Sequence, residues 1–405
     1  MTNPRLRPLD FQPIQHQGEH MWLLRDPWQL SDRQLIFPEA LAQLLVFCDG
    51  AHSLREIQSA LSSRLGVAVP FEVVTETLAQ LDQAFLLVNE RFEVEFQALR
   101  DAYRAQPYRP PALADLSYPG APDELAALFH QYGEGDTAEV NNWQGRGVVS
   151  PHIDYQRGGP VYARVWRRAA PAVLNADLVF IFGTDHNGSP GSVTLTRQPY
   201  ATPYGVLPTD LALIDKLAEA LGPEAAYAEE LNHRGEHSVE LSAVWLHHVF
   251  QQAGAPPCPM VPILVGSFHH FVTSGTHPDG DERFNRFLAT LRQETAGRRV
   301  LAVGSVDLAH VGPAFGDPFG MDGGRRAQLR LEDADLMATV LQGNAAGFYQ
   351  RIAAVGDRNR ICGFSPLYLM LRYLGPTNGA QIAYQHCPAD AADTSLVSIC
   401  GLLLQ

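Results

Sequence analysis

The sequence contains few cysteines and few basic residues for its length. Five of its 405 residues are cysteine, the number is odd, and no Cys-x-x-Cys motif occurs. A disulfide framework and a structural zinc knuckle are therefore not expected, and a reducing, cytoplasmic location fits best. Thirty Lys and Arg residues against 44 Asp and Glu residues give a formal net charge of −14, which argues against nucleic acid as a partner.

Long apolar runs and internal repeats are also missing. No stretch of about 18 uncharged apolar residues is present, so neither a transmembrane helix nor a membrane partner is expected. The first eight residues are followed by no apolar segment of the signal-peptide type. Apolar residues still make up 46% of the chain, which excludes global disorder, and the length predicts two to three domains.

Prolines divide the chain into two unequal parts. Five prolines fall between residues 104 and 122, where neither helical nor strand periodicity is visible. We interpret residues 101–145 as a Pro-rich linker. Residues 1–100 are then expected to form a small domain, and residues 146–405 a large one.

The small domain is predicted to be a winged helix. Apolar periodicity predicts helices at residues 38–48 and 71–83, and the pair Ser53 and Glu56 has the spacing of a capping box that starts another helix. Residues 85–94 are predicted to form the hairpin wing. Residues 20–96 contain five arginines and eleven carboxylates, so this unit would repel a DNA duplex.

One motif of the small domain resembles the PqqD-like domains. In those domains an Asp-Gly turn precedes a short Ser- or Thr-initiated helix, as Asp49-Gly50 and Ser53 do here. The resemblance implies that this unit binds a peptide or protein partner by edge-strand addition, through backbone hydrogen bonds. A purely structural interaction module is the alternative.

Strand-like and helix-like segments alternate in the large domain. Residues 177–182 and 299–304 are continuous apolar runs, which are typical of buried parallel strands. The alternation predicts an α/β fold with a central, mostly parallel sheet and helices on both faces. Helices are predicted at residues 161–174, 239–252, 282–294, 327–341 and 366–373.

Histidines follow three of the predicted strands. His152 comes after the strand at residues 146–150, His186 after the strand at 177–182, and His310 after the strand at 299–304. The carboxyl ends of parallel strands line the ligand crevice of an α/β sheet. The sequence therefore places these imidazoles near one another.

Two further motifs stand at predicted helix starts. Glu236-His237 begins one helix, and Cys362 precedes another, where the helix dipole favours a thiolate. Imidazole and thiolate ligands together predict a transition-metal site, and histidine is also the usual acid or base near neutral pH. Asp154 and Asp185 could add carboxylates near the metal; for Asp154 the alternative is that it caps the next helix.

In this order, the motifs resemble the Memo family, whose bacterial members are also called AmmeMemoRadiSam system protein B. That family is similar to the catalytic subunits of class III extradiol dioxygenases. The resemblance covers about residues 146–405. The motifs are Pro151-His152-x-x-Tyr155, Gly183-x-x-His186, Glu236-His237-Ser238-x-Glu240, Ser305-x-Asp307-x-x-His310 and Ile361-Cys362-Gly363.

The resemblance implies a metal site formed by His152, His186 and Cys362. Non-haem Fe(II) is the expected metal, with copper or zinc as alternatives. Four further motif positions are expected to act as catalytic residues around the same pocket, with the aspartate orienting a histidine and the two histidines moving protons. These positions are Glu236, His237, Asp307 and His310. The alternative is that these four residues hold loops in place.

Together these features predict a metal-dependent oxidoreductase of the dioxygenase-like type. It is expected to act on a peptide or protein held by the small domain, with radical-SAM system proteins as further partners. The alternative is a non-catalytic protein that uses the same cleft to bind a redox metal or a peptide. The proton-transfer residues favour the enzyme. A winged-helix regulator with a metal-sensing domain is a third hypothesis, disfavoured by the acidity of the small domain.

Overall fold

The structure is a computed structural model that describes residues 3–7, 9–16, 18–31, 33–137 and 142–405. It separates into two compact units, Met1–Ala105 and Gln106–Gln405. Within the described ranges, none of the helices combines the length and the apolar character that crossing a bilayer requires.

The first unit combines a three-stranded antiparallel sheet, in the order β1-β2-β3, with helices. Its elements are β1 (Asp10–His16), β2 (Glu19–Arg25), β3 (Leu35–Pro38), α1 (Glu39–Ala42), a 3-10 helix (Gln43–Phe47), α2 (Leu54–Leu65), α3 (Phe71–Gln83) and α4 (Glu90–Ala105). The predicted capping box begins α2. Ser53 N donates to Glu56 Oε2 at 2.7 Å, and Glu56 N donates to Ser53 Oγ at 3.4 Å.

The predicted hairpin wing at residues 85–94 is wrong, because α4 begins at Glu90. Asn89 Oδ1 accepts a hydrogen bond from Phe92 N at 3.0 Å and so satisfies a free amide in the first turn. Phe92, Phe96 and Tyr103 are buried along one face of the helix. The PqqD-like character of this unit stays a prediction.

The second unit confirms the predicted α/β class. Its main sheet has eight strands, in the order β11-β13-β4-β10-β5-β9-β6, with β12 paired to β13. The strands of the unit are β4 (Gly147–Ser150), β5 (Leu178–Thr184), β6 (Val193–Leu195), β7 (Tyr200–Thr202), β8 (Gly205–Leu207), β9 (Met260–Val265), β10 (Val300–Ser305), β11 (His310–Val311), β12 (Gly379–Pro388) and β13 (Leu396–Leu404). The short strands β7 and β8 form a separate ribbon.

Helices cover both faces of this sheet. α5, α6 and α10 pack on one face, while α7, α12, α13, α14 and α15 pack on the other. The helices are α5 (Pro122–Gly133), α6 (Tyr155–Asn175), α7 (Leu211–Leu221), α8 (Pro223–Tyr227), α9 (Asn232–Gly235), α10 (His237–Ala253), α11 (His269–Ser274), α12 (Glu282–Glu294), α13 (Gly323–Leu341), α14 (Ala345–Ala354) and α15 (Phe364–Leu374), with short 3-10 turns at Pro278–Gly280 and Pro313–Phe315. Strand β5 alternates between the two cores, since Phe180 and Phe182 face one and Val179 and Ile181 the other.

The sheet is mixed rather than mostly parallel. β4, β10, β5 and β9 are parallel neighbours, whereas β13 and β6 pair with this block in antiparallel orientation. In the register of the parallel strands, Ser305 is paired with both Ser150 and Gly183. The loops that follow β4, β5 and β10 therefore leave the sheet at nearly the same level.

The structure differs from the predicted linker before β4. Helix α5 lies inside this range, and its Leu125 and Phe129 belong to the core between α6 and α10. Arg109 is fully buried, donates from Nε to His233 O at 2.8 Å and pairs with Glu240. The prolines led to the prediction of a linker because they interrupt the apolar periodicity, but they do not prevent the segment from being buried. Residues 138–141 of the predicted linker lie outside the described residues.

The buried pair of Arg109 and Glu240 predicts a large effect on stability. Glu240 also accepts hydrogen bonds from Leu113 N at 2.8 Å and from Tyr118 Oη at 2.5 Å, so it fixes the segment before α5 to helix α10. Arg109→Met would leave this buried carboxylate without its cation. We expect a loss of roughly 3 to 5 kcal/mol in the free energy of unfolding of the large unit, measured by urea titration.

Arg197→Met provides the matched control. Arg197 pairs with Asp215, but both side chains are about half exposed, at 49% and 50%. Its loss should change the free energy of unfolding by less than about 1 kcal/mol. Equal effects of the two substitutions would contradict the role given to the Arg109 pair.

Candidate metal centre

Three imidazoles meet at the carboxyl edge of the parallel strands. His152 follows β4, His186 follows β5, and His237 is the first residue of α10. One ring nitrogen of each lies within 4.8 Å of the others, and the rings of His186 and His237 are stacked with centroids 4.7 Å apart. This arrangement has the donor atoms and the spacing to hold a metal ion.

Cys362 adjoins two of these imidazoles. Its Sγ lies 3.2 Å from His152 Nε2 and 3.3 Å from His186 Nε2. Its carbonyl oxygen accepts a hydrogen bond from Thr184 Oγ1 at 3.0 Å, which ties the cysteine loop to the end of β5. The structure therefore brings together all three of the predicted ligands.

A glycine allows the cysteine loop to approach the loop after β10. Cys362 N donates to Leu308 O at 3.1 Å, and Gly363 N donates to Asp307 O at 2.8 Å. A Cβ atom at position 363 would lie 2.4 Å from the Cβ of Val306. Only glycine therefore fits at position 363 without a shift of this backbone.

The second ring nitrogen of both predicted histidine ligands is engaged. His152 Nδ1 lies 2.9 Å from Ser305 O, and His186 Nδ1 lies 3.0 and 3.1 Å from the two carboxylate oxygens of Glu236. A proton on each Nδ1 satisfies these contacts, so a metal that binds through Nε2 would displace only the Nε2 proton.

Glu236 acts as a positioning group for His186. In addition to the ring contact, its carboxylate accepts hydrogen bonds from His186 N at 3.0 Å and from Ser238 N at 2.9 Å, the latter at the start of α10. Burial alone would raise the pKa of Glu236, but the imidazoles of His186 and His237 hold it well below its usual range. The carboxylate therefore stays ionised and fixes the His186 loop to the helix.

Asp307 has a similar place beside His152. Its Oδ1 accepts hydrogen bonds from His152 N at 2.9 Å and from Ile153 N at 3.1 Å. Its Oδ2 lies 3.7 Å from His152 Nε2. The carboxylate thus fixes the backbone after β4 and with it the direction of the His152 ring.

His237 and His310 both line a cleft of about 600 Å³ that also contains His152 and His186. Burial lowers the pKa of His237 to about 4 although its Nδ1 lies 3.2 Å from Glu236 Oε1, so this ring is neutral at pH 7. His310 lies on the cleft wall, with Nδ1 3.2 Å from Leu308 O. Both imidazoles are placed to contact a molecule in the cleft.

The charge state of the cysteine suits metal binding. Burial would raise the pKa of Cys362, but His152 and His186 lower it well below its usual range. In return, Asp307 and the thiolate outweigh burial and raise the pKa of His152 to about 9, and Glu236 and the thiolate raise that of His186 well above its ordinary value. The sulfur is therefore a thiolate, the form that binds metals.

The two additional carboxylates serve the backbone and a neighbouring amide. Asp154 accepts a hydrogen bond from Arg157 N at 3.0 Å and caps α6, which is the alternative that the sequence left open. Both oxygens of Asp185 lie 3.0 Å from Asn232 Nδ2. Among the described residues, the group of side chains with the spacing to hold a metal is His152, His186 and His237. It includes neither aspartate, and Cys362 adjoins it through His152 and His186.

Sequence reasoning missed three features of the site. It did not place His237 beside the predicted ligands, although a ring nitrogen of this residue lies within 4.8 Å of those of His152 and His186; the expected role of His237 in proton transfer stays a prediction. The partner of His152 is the carbonyl of Ser305, and a backbone acceptor leaves no signal in residue types. Arg109 was hidden in the Pro-rich segment, although its Nη2 donates to Glu236 O at 3.1 Å.

Comparison with known proteins indicates the family of this chain. The profile of the Memo-like protein family matches residues 109–403. A MEMO1 family protein of Aquifex aeolicus is 26% identical over 408 residues, which is 99% of each chain. One of Methanosarcina barkeri is 28% identical over 71% of this chain and 96% of its own, and one of Thermus thermophilus is 29% identical over 65% and 73%. The predicted resemblance of the large unit to the Memo family is confirmed, and the chain belongs to the Memo-like protein family.

Proposed function

We propose that this chain is a metal-dependent oxidoreductase that holds ferrous iron with His152, His186 and Cys362. The observation that carries the proposal is the convergence of both Nε2 atoms on the Cys362 sulfur, at 3.2 and 3.3 Å. The donor set is two imidazoles and a thiolate, with the third imidazole of His237 beside them. Such ligands suit iron, copper and zinc far better than magnesium or calcium.

We propose iron because the family is similar to class III extradiol dioxygenases, and the metal of those enzymes is redox-active. When bound, ferrous iron would supply one-electron chemistry for the reaction of a substrate with O₂. The cleft of about 600 Å³ lies within the range of about 300 to 1,000 Å³ typical of small-molecule sites. It is therefore large enough to admit a small substrate or a side chain of a peptide.

The residues of the cleft can position a substrate and move a proton. His237 is neutral at pH 7 and can accept a proton from a bound group. The imidazolium that forms would be stabilised by Glu236, whose Oε1 lies 3.2 Å from His237 Nδ1. His310, which also lines the cleft, is the second candidate for acid or base. Asp307 acts indirectly, through its hydrogen bond to the backbone of His152.

We also propose that the unit Met1–Ala105 binds a peptide or protein substrate, with radical-SAM system proteins as the partner class that the family resemblance implies. Strand β1 is at the edge of its sheet and is mostly exposed, which suits strand addition. The excess of carboxylates favours a basic peptide.

We expect the full chain to bind a fluorescent Lys-rich peptide, with an affinity that falls as the salt concentration rises. Fluorescence anisotropy measures this binding. Equal binding of a Glu-rich peptide would contradict the proposal.

Metal analysis of protein purified without oxygen tests the central proposal. We expect near-stoichiometric iron in the intact chain, much less in Cys362→Ser, and O₂ consumption after addition of Fe(II). Cys258→Ser is the matched control, because this partly buried cysteine packs against an apolar core cluster of the large unit, whereas Cys362 adjoins His152 and His186. Copper or no metal, together with no O₂ uptake, would instead support the non-catalytic protein that binds a redox metal or a peptide in the same cleft.

Glu236→Gln tests the positioning role of the buried carboxylate. The amide removes the charge and one of the two acceptors that face His186 Nδ1, so we expect the affinity for Zn²⁺ to fall by about 10- to 100-fold. Competition with a chromophoric chelator measures this without any turnover. Glu229→Gln, whose carboxylate accepts from Ser189 N at an exposed position, should leave the affinity unchanged; a loss of the same size there would refute a specific role for Glu236.

A further inference from the structure

Helix α13 carries a carboxylate in the middle of its buried face. Asp333 is 1% exposed and lies one turn from the buried apolar residues Leu329 and Met337 of the same helix. Burying a carboxylate costs free energy that hydrogen bonds only partly offset. Asp333 does not belong to the described residues that line the metal cleft, so its place needs a reason outside that cleft.

Two hydroxyl groups donate hydrogen bonds to the Asp333 carboxylate. Tyr384 Oη on β12 donates to Oδ2 at 2.7 Å, and the side chain of Ser398 on β13 donates a second hydrogen bond. Tyr384 Oη also lies 2.6 Å from His386 Nε2, and a neutral ring with its proton on Nε2 completes this chain of donors. Helix α13 is thereby bonded to both β12 and β13.

Ser398 extends this contact to the segment that carries His310. Its Oγ accepts a hydrogen bond from Ala309 N at 3.0 Å, its N donates to Ala309 O at 2.9 Å, and its O accepts from Leu308 N at 2.9 Å. A hydroxyl that donates to a carboxylate is a stronger acceptor, because hydrogen bonds in a chain polarise one another. The ionised Asp333 thus strengthens the contact that fixes the backbone next to His310.

The neighbouring residue of α13 holds the same segment at a second point. Glu332 Oε2 accepts a hydrogen bond from Asn359 Nδ2 at 2.8 Å, and Asn359 O accepts one from His310 N at 2.8 Å. Burial would raise the pKa of Glu332, but hydrogen bonds from Asn359 and Gln328 lower it, so this carboxylate stays ionised. His310 is therefore held through Asn359 at its own amide and through Ser398 at the amide before it.

We propose that Asp333 is a positioning residue for His310. Through the Ser398 hydroxyl, the negative charge of Asp333 fixes the loop after β10 and with it the imidazole that lines the metal cleft. The inference rests on the proposed role of His310 as acid or base. It concerns the placement of His310, which can be observed without metal or turnover, so it can fail independently of the oxidoreductase proposal.

The charge of Asp333 changes near pH 6. Burial raises the pKa of Asp333 to about 6, although the hydrogen bonds from Ser398 and Tyr384 lower it. Above this pH the ionised carboxylate accepts from both hydroxyls. Below it the neutral carboxyl no longer polarises Ser398, and the hydrogen bond from Ala309 N weakens. The segment that carries His310 is therefore expected to be held more firmly at pH 8 than at pH 5.

The groups around Asp333 on the adjacent strands keep their charge over this range. Burial raises the pKa of Tyr384 on β12 and of Cys400 on β13, so both stay protonated. Burial lowers the pKa of His386 to about 4, so this ring is neutral. The guanidinium of Arg330 on α13 lies 5.3 Å from the centre of the Tyr384 ring, and arginine carries its charge throughout. A change near pH 6 is thus assigned to Asp333.

The test observes the backbone amide of His310 in the full chain, without metal or substrate. Of the histidines, only His52 and His310 follow an alanine. Labelling with ¹³C′-alanine and ¹⁵N-histidine therefore leaves two signals in an HNCO spectrum, and His52→Gln assigns them. Between about pH 5 and pH 8 the His310 signal should shift in a step with its midpoint near pH 6. Absence of this step would overturn the proposal.

A matched pair of variants identifies the carboxylate that causes the step. Asp333→Asn removes the charge and should abolish it. Asp335→Asn is the control, because this carboxylate lies on the same helix, is 64% exposed and pairs with Arg351, and the step should remain. Equal steps in the two variants would contradict the assignment to Asp333.

The ring of His310 is removed as a cause of the step in His310→Asn. No alanine precedes an asparagine in the native sequence, so ¹³C′-alanine and ¹⁵N-asparagine labelling shows the amide at position 310 alone. The step should persist in this variant and disappear when Asp333→Asn is added. Its loss in His310→Asn alone would show that the ring, and not Asp333, produces it.

Two hydroxyl variants test the route from Asp333 to the loop. Ser398→Ala removes the link to Ala309 but keeps Asp333, so the step should vanish even if Asp333→Asn does not fold. Tyr384→Phe removes the other donor and keeps the link. The step should then remain with a higher midpoint, since the lost donor no longer favours the charged carboxylate. A step that survives Ser398→Ala would overturn the proposal.

Discussion

The level at which three parallel strands end is the constraint on which the candidate metal centre depends. Ser305 of β10 is paired with Ser150 of β4 and with Gly183 of β5, so the loops after these strands begin side by side. Because adjacent residues of a strand point to opposite faces, a slip of one residue would turn an entire strand over and move its loop. The continuous apolar strands, buried between helices on both faces, hold this register.

A chain of buried polar contacts then converts this register into a defined site. Arg109 donates to the carbonyl of Glu236, Glu236 holds His186 by ring and backbone, and His186 faces the sulfur of Cys362. Each contact holds in place a residue that makes the next contact. The charge of each ionisable group in turn depends on its neighbours. The ionised sulfur is therefore a property of the cluster, since burial alone would keep Cys362 protonated.

The sequence predicted the central strands of the large unit better than the segments around them. Apolar runs and the histidines behind them predicted which loops meet, and the capping box at Ser53 predicted a helix start that the structure confirms. The hairpin wing was wrong because residues 85–94 look strand-like until Asn89 caps a helix whose aromatic residues are spaced for one face. The position of the His237 ring depends on the direction in which α10 leaves its loop. The spacing of residues along the chain does not predict that direction.

The location of the carboxylates limits the chemistry of the centre as much as its ligands do. Asp307 binds two backbone amides, Glu236 binds His186 and the start of α10, and Asp154 caps α6. Glu236 and Asp154 have both carboxylate oxygens bonded to N–H groups of the protein, whereas Asp307 keeps Oδ2 at 3.7 Å from His152 Nε2. The nearest donor atoms of the cluster are therefore imidazole nitrogens and a thiolate, a softer set than a carboxylate site would offer. Because Glu236 and Asp154 are bonded to N–H groups, the donor set that remains suits magnesium and calcium poorly.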